Sequence, residues 1–122
     1  MSAAQKAKRI AELNDQLRAR IMMPVFGKAF PPGAIYMTRG IASLGPEAQI
    51  VIAAKVRSFD DFSEDNDPYR ERDFGAFGLP GAGKIFWKID YYADETGQWG
   101  ADDPSDPEKS FRVLTIMLAE EY

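Results

Sequence analysis

A stripe of apolar residues at helical spacing predicts a first helix, capped by Ser2 and running to about residue 22. Pro24 disfavours helix at the residue before it and sets the boundary. A second helix is predicted from Gly45 to about residue 58, because Pro46 fits a first helical turn. The apolar run at 50–54 would also suit a buried strand. The first stripe consists of Ala7, Ile10, Leu13, Leu17 and Ile21.

Four strands are predicted at residues 34–39, 73–79, 85–92 and 111–118. In the third of these, Ile85, Trp87 and Ile89 share one face, while Lys88 and Asp90 fall on the other. We therefore expect an α+β fold in one domain, residues 1–122, with two helices packed on one face of a mostly antiparallel four-stranded sheet. The last strand ends close to Tyr122, which should lie near the sheet.

Composition excludes several kinds of chemistry. The 122 residues include no cysteine and no histidine, which removes disulfides, thiolate nucleophiles, Ser-His-Asp catalysis and zinc sites built from Cys or His. No apolar stretch approaches the roughly 20 residues of a membrane span, so no membrane association is expected. The chain is charged from Lys6 onward without the hydrophobic core of an export signal. We expect a protein of the cytoplasm.

Charge is distributed unevenly along the chain. Residues 1–59 contain nine Lys/Arg and three Asp/Glu, whereas residues 60–108 contain four and fourteen. The acidic residues concentrate in a first acidic loop, residues 60–71, and a second acidic loop, residues 93–108. Such runs are commonly solvated loops. The alternative is a surface of one sign that meets a basic partner.

A glycine-rich stretch at 78–84 matches the first seven positions of a phosphate-binding P-loop. The eighth position should be Ser or Thr to hold magnesium, and it is Ile85. A strand-like segment also follows where the P-loop requires a helix. We therefore expect these glycines to form a turn with positive φ angles.

The first acidic loop partly resembles a calcium-binding loop that begins at Asp61. Its sixth position is Asn66 instead of Gly, and its twelfth is Arg72 instead of Glu, so an EF-hand is not expected. A less regular Mg²⁺ or Ca²⁺ site using Asp65, Asp67 and Glu71 stays open. The alternative is that these side chains cap turns.

Two further candidate sites are Asp90 and the basic residues of the first helix. Asp90 lies among aromatic residues, where a carboxyl can have a raised pKa and act as an acid, or can pair with a basic residue such as Arg112. The basic residues of the first helix could contact nucleic acid, but a sequence pI of about 4.8 argues against direct binding. These basic residues are Lys6, Lys8, Arg9, Arg18 and Arg20.

Three long segments, at 59–77, 86–92 and 112–122, together with residues 37–40, resemble an uncharacterised family of small bacterial proteins with a domain of unknown function. The family occurs in stand-alone proteins and often on mobile elements. The resemblance spans nearly the whole chain, although the glycine-rich stretch lies outside the family's pattern. It implies a single-domain bacterial protein, and it brings no catalytic residues and no cofactor.

The leading hypothesis is a small acidic protein-binding module that docks on a cationic surface. Its carboxylates would mimic nucleic-acid phosphates and inhibit a DNA- or RNA-binding defence complex of the restriction or CRISPR type. The acidic surface would comprise Asp60, Asp61, Glu64, Asp65, Asp67, Glu71, Asp102, Asp103 and Asp106. The aromatic anchors would be Tyr69, Phe74, Tyr91 and Trp99. The alternatives are a divalent-metal-dependent hydrolase or transferase using loop carboxylates, and a homodimeric scaffold without chemistry.

Overall fold

The computed structural model describes residues 1–122 and has an α+β architecture, as predicted. Three α-helices and a four-stranded sheet follow one another along the chain. The helices are α1 (Ala3–Arg18), α2 (Arg39–Ala42) and α3 (Pro46–Arg57). The strands are β1 (Gly33–Met37), β2 (Phe74–Leu79), β3 (Gly83–Tyr92) and β4 (Phe111–Leu118), and β4 leads into a 3₁₀ turn at Ala119–Glu121.

The predicted starts of the two long helices and the predicted end of α3 are close to the observed ones. Ser2 caps α1 through a reciprocal pair of hydrogen bonds: its hydroxyl accepts the Gln5 N–H, and its own N–H donates to the Gln5 side chain. Pro46 occupies the first turn of α3, which is a helix and not a buried strand. Helix α1 ends at Arg18, earlier than predicted, and Met22 beyond it has a positive φ of 54°.

The prediction of only two helices was wrong, because α2 was missed. This four-residue helix begins where the sequence was read as the end of a strand and a sharp exit at Gly40. The Thr38 side chain caps it by accepting the Ile41 N–H. One turn is too short to produce a recognisable apolar period, and so the pattern could not reveal it.

The strand order in the sheet is β1-β4-β3-β2. Neighbours β2 and β3 are antiparallel, as are β3 and β4, whereas β1 is parallel to β4. A hairpin joins β2 to β3 through the glycine-rich stretch, where Gly81 and Gly83 have φ angles of +85° and +83°. The predicted turn is confirmed, and the stretch opens no helix.

One hydrophobic cluster joins the helices to the two central strands. Its strand members share one face of the sheet, because Trp87 lies opposite Ile116 and Ile89 opposite Leu114. All three helices contribute side chains to the same cluster, and Trp87 is its largest fully buried member. The helical members are Leu17, Ile41, Ile52, Ala53 and Val56, and Ile21 joins them from the turn that follows α1.

The opposite face carries a smaller aromatic group, in which Phe74 lies 5.4 Å from Phe86, centroid to centroid. Tyr122 meets both rings edge-on, so the prediction that it lies near the sheet is confirmed. No helix of the protein combines the length and apolar character needed to cross a bilayer.

Candidate functional site

The first acidic loop is anchored to the core at its beginning. Phe59 and Phe62 pack edge-on against Trp87, with ring centroids 5.6 Å and 6.1 Å from the indole, and 5.1 Å from each other. Edge-to-face contacts of this kind fix both position and orientation. The carboxylates between and after the two phenylalanines therefore project from a rigid base.

Hydrogen bonds inside the loop set its shape. The Asn66 side chain accepts the Ser63 N–H at 2.7 Å and donates to the Asp61 carbonyl at 2.8 Å. The Asp67 carboxylate accepts the Arg72 N–H through both oxygens, at 3.1 Å and 3.3 Å. This contact holds Arg72 at a positive φ of 55°. Asp67 therefore caps a turn, as the alternative interpretation of this loop predicted.

The acids of the first loop fall into two groups. Asp67 was predicted to belong to the acidic surface, but its side chain is only 4 % exposed. It stabilises the loop from inside and is not available to a partner. Glu71 is half-buried and accepts the Tyr91 hydroxyl. Tyr69 is 79 % exposed on the same loop. The exposed acids are Asp60, Asp61, Glu64 and Asp65, of which only Glu64 forms an ion pair, at 3.3 Å to exposed Arg70.

Helix α1 holds the end of the loop. The Asp15 carboxylate binds Arg18 at 2.7 Å through one oxygen and Arg72 at 2.6 Å through the other. The buried Arg18 guanidinium also donates to the carbonyls of Val56 and Phe59, and it lies 4.8 Å from the Trp87 ring centroid. Arg18 therefore supports the loop from within, and is not part of a nucleic-acid surface.

A polar network beneath α1 fixes the other predicted anchor, Tyr91. Buried Asn14 donates to the Glu71 carbonyl at 2.9 Å and to the Tyr91 hydroxyl at 2.8 Å, and it accepts from Arg112 at 2.7 Å. Burial is the main cause that raises the pKa of Tyr91 and lowers that of Arg112. Tyr91 is a framework residue, and its hydroxyl is committed inside the protein.

The remaining sequence candidates on the sheet are also paired. Asp90 binds Lys88 at 2.8 Å, and this hydrogen bond raises the Lys88 pKa. Arg112, named as a potential partner of Asp90, is instead buried in the Asn14 network. Phe74 is half-buried in the aromatic group on the sheet face opposite the hydrophobic cluster, where it contacts Phe86.

The second acidic loop has its own local structure. Asp103 accepts from Ser105 and lies 3.8 Å from Lys6 of α1, and Asp106 accepts the Glu108 N–H at 2.9 Å. The hydrogen bonds to Ser105 are the main cause that lowers the Asp103 pKa. Asp102 is exposed, as is Trp99 at 72 %.

The two acidic loops approach α1 at different residues. Asp103 of the second loop lies beside Lys6, while Lys8 lines a small hollow together with Asp67 and Arg70 of the first loop. No hydrogen bond or ion pair connects one loop with the other. Each acidic loop thus lies beside a lysine of α1, and the two loops form no joint polar network.

The carboxylates of the first acidic loop are also the residues of the metal-site hypothesis. No group of three or more Asp or Glu side chains is arranged to hold a metal ion. The oxygen atoms of Asp67 face the Arg72 backbone, and Glu71 faces Tyr91. The metal-dependent hydrolase therefore gains no supporting observation from this loop.

Asp73 is a residue that the sequence reasoning missed. Burial raises its pKa to about 6, with further contributions from the negative charges of Glu71, Asp67 and Asp90. The sequence does contain a signal for this shift: Asp73 is the third acidic residue within residues 67–73, and it directly precedes an apolar strand. The sequence pattern places it only as the first residue of the predicted strand at 73–79, and the observed strand β2 begins one residue later.

Comparisons with known proteins place the chain by family alone. A family model described as "Protein of unknown function (DUF3768)" matches residues 37–121, from the end of β1 to the 3₁₀ turn. Searches of curated proteins and of solved structures each found no significant match.

Proposed function

Since the chain belongs to the DUF3768 family, whose description names no activity, we propose from the site alone that it is a non-catalytic binding protein for a cationic partner surface. The contact would be made by the exposed part of the first acidic loop, Asp60 to Asp65, together with Tyr69. The partner would be a DNA- or RNA-binding complex, whose phosphate-binding groove accepts carboxylates in place of phosphates. Bacterial origin and a cytoplasmic location are parts of the same proposal.

One observation carries this proposal: four exposed carboxylates project from a loop that is held rigidly on both sides. The Phe59, Phe62 and Trp87 contacts hold its beginning, and the Asp15–Arg72 ion pair holds its end. Rigid presentation lowers the ordering cost of binding, and clustered charge increases the association rate with an opposite surface. Tyr69 supplies an exposed aromatic side chain of the type that dominates interface energetics.

The test compares affinity capture from bacterial lysate by wild type and by Asp61→Asn/Glu64→Gln/Asp65→Asn, which leaves buried Asp67 intact. The matched control, Glu12→Gln/Glu47→Gln/Glu120→Gln, removes three exposed acids outside the loop. We expect wild type and control to retain the same nucleic-acid-binding complex and the loop variant to lose it. High salt and an added duplex oligonucleotide should each displace the complex.

Equal capture by the loop variant would contradict the proposal, as would a captured protein that neither salt nor oligonucleotide displaces. A homodimeric scaffold would instead appear as a concentration-dependent mass in sedimentation without a captured partner.

A further inference from the structure

A groove of about 740 Å³ lies at the end of the sheet where β1 begins, β3 ends and β4 begins. The sheet topology creates it, because β1 is parallel to β4 and β3 is antiparallel to β4, so three connecting segments converge there. None of the residues predicted as a site from the sequence lines this groove. It is separate from the first acidic loop.

The groove combines an apolar floor with an acidic rim. Phe30, Pro32 and Phe111 provide large apolar surfaces, and the Phe30 side chain is 50 % exposed. The rim carries three carboxylates and one amine, none of which forms an ion pair within the chain. These groups are Asp94, Glu95, Glu108 and Lys28.

Hydrogen bonds from two arginines hold part of the groove wall. Arg20 donates to the Pro31 carbonyl at 2.6 Å, and the Arg112 backbone N–H donates to the Pro32 carbonyl at 3.1 Å. The Arg112 side chain also donates to the buried Ser110 hydroxyl at 3.0 Å. These contacts hold Pro31, Pro32 and Ser110 in place, so a ligand would not have to order this side of the groove.

We propose that this groove binds a peptide segment of another protein in which an apolar side chain stands next to Lys or Arg. Charge complementarity favours this occupant: the rim has an excess of two negative charges, and the apolar floor favours a peptide that also carries an apolar side chain. A second copy of this chain is disfavoured, because each copy has a net charge of −4 and would present the same acidic rim.

An exposed apolar segment extends the docking surface beside the groove. Phe26 is 89 % exposed, and Met22, Met23 and Val25 are each about half exposed on the connector that runs into Lys28. Contiguous exposed apolar side chains of this kind mark interaction surfaces. In the proposed complex the bound peptide buries part of these side chains in addition to the groove floor.

The experiment uses the full chain and three synthetic hexapeptides, observed by chemical-shift mapping in NMR. The probes are Lys-Arg-Phe-Leu-Lys-Arg, the polar control Lys-Arg-Ser-Gln-Lys-Arg and the acidic control Glu-Asp-Phe-Leu-Glu-Asp. We expect saturable shifts only with the first, at residues 28–32, 93–95 and 107–111. The variant Glu95→Gln/Glu108→Gln should weaken its affinity about fivefold, since two exposed charge pairs are lost. Neither side chain forms a hydrogen bond or ion pair, so folding should be unaffected.

The matched control is Glu64→Gln/Asp65→Asn, which removes the same charge from the first acidic loop and should leave the affinity within about twofold. Equal binding of all three peptides, shifts confined to residues 60–69, or equal weakening by both variants would overturn the proposal. A concentration-dependent dimer that covers the groove would also overturn it. Binding at the groove and binding at the first acidic loop shift the signals of different residues. A groove that binds no peptide would therefore not contradict the proposed function of the loop, and a loop that binds no partner would not contradict the groove proposal.

Discussion

Gly75 is the residue where the packing around Trp87 leaves least room. A Cβ at this position of β2 would overlap Trp87 Nε1 and lie 2.6 Å from Cε2 of the same indole and 2.8 Å from Phe59 Cε1. Trp87 is fully buried, so its indole has little free space to move into. Because Phe59 begins the support of the first acidic loop, this tight contact links the core to the candidate site.

We predict that Gly75→Ala lowers the free energy of unfolding by about 1–3 kcal/mol, because it overpacks a rigid core contact. Gly78→Ala is the matched control, since a Cβ at Gly78 in the same strand meets nothing within 4 Å. Its effect should stay within about 0.5 kcal/mol. Denaturant unfolding of both variants measures the difference, and similar stabilities would mean that the indole can shift.

At the scale of elements, α1 and the first acidic loop behave as one unit. The Asp15 carboxylate bridges Arg18 of the helix and Arg72 at the end of the loop. Asn14 adds a hydrogen bond to the Glu71 carbonyl. Removing Asp15 would leave the buried Arg18 guanidinium without its carboxylate partner.

We predict that Asp15→Ala destabilises the protein by about 1–3 kcal/mol, since it leaves a buried charge uncompensated. Hydrogen exchange should become faster at the amides of Asp67, Arg70 and Arg72 before it changes in the sheet. The control is Glu12→Ala, which removes a more exposed ion pair of the same helix, 3.5 Å from Arg9. Unchanged loop protection in Asp15→Ala would show that the aromatic anchors alone hold the loop.

At the scale of the whole molecule, the features predicted correctly are those encoded locally. The Ser2 cap and the helix start at Pro46 depend only on neighbouring residues. The alternation from Ile85 to Ile89 likewise identifies the buried face of β3 without knowledge of the strand that pairs with it. The exposed acids of the first loop were likewise predictable, because a dense acidic run leaves most of its charges in solvent.

The rest of the site depends on contacts that no local pattern contains. Asn14 binds groups 57, 77 and 98 positions away, and Asp67 is buried because it faces the Arg72 backbone. The groove needs the placement of β1 beside β4, a pairing between strands far apart in the chain. Strand order of this kind arises from global packing, and so the groove-lining residues were not found.

Stability as a function of pH belongs to the whole molecule, and Asp73 should shape it near neutrality. Its pKa of about 6 in the folded protein lies above the unfolded value near 3.8, so the folded state binds this proton more tightly. The ionised carboxyl therefore opposes folding above pH 6, and this penalty is lost as the pH falls from about 6 to 4. Hydrogen bonds lower the pKa values of Asp103 and Glu121, and the stabilisation from those groups is lost only at more acidic pH.

We therefore predict that Asp73→Asn stabilises the protein at pH 7 by on the order of 1 kcal/mol, a value that allows for solvent screening of a half-exposed carboxyl. The difference from wild type should shrink as the pH approaches 4, because both proteins are then neutral at this position. Gly78→Ala removes no titrating group, so its free energy of unfolding should change with pH in parallel with that of wild type. Denaturant unfolding across pH 4 to 7 provides the measurement. A constant difference between Asp73→Asn and wild type over that range would mean that the Asp73 carboxyl titrates as it does in the unfolded chain.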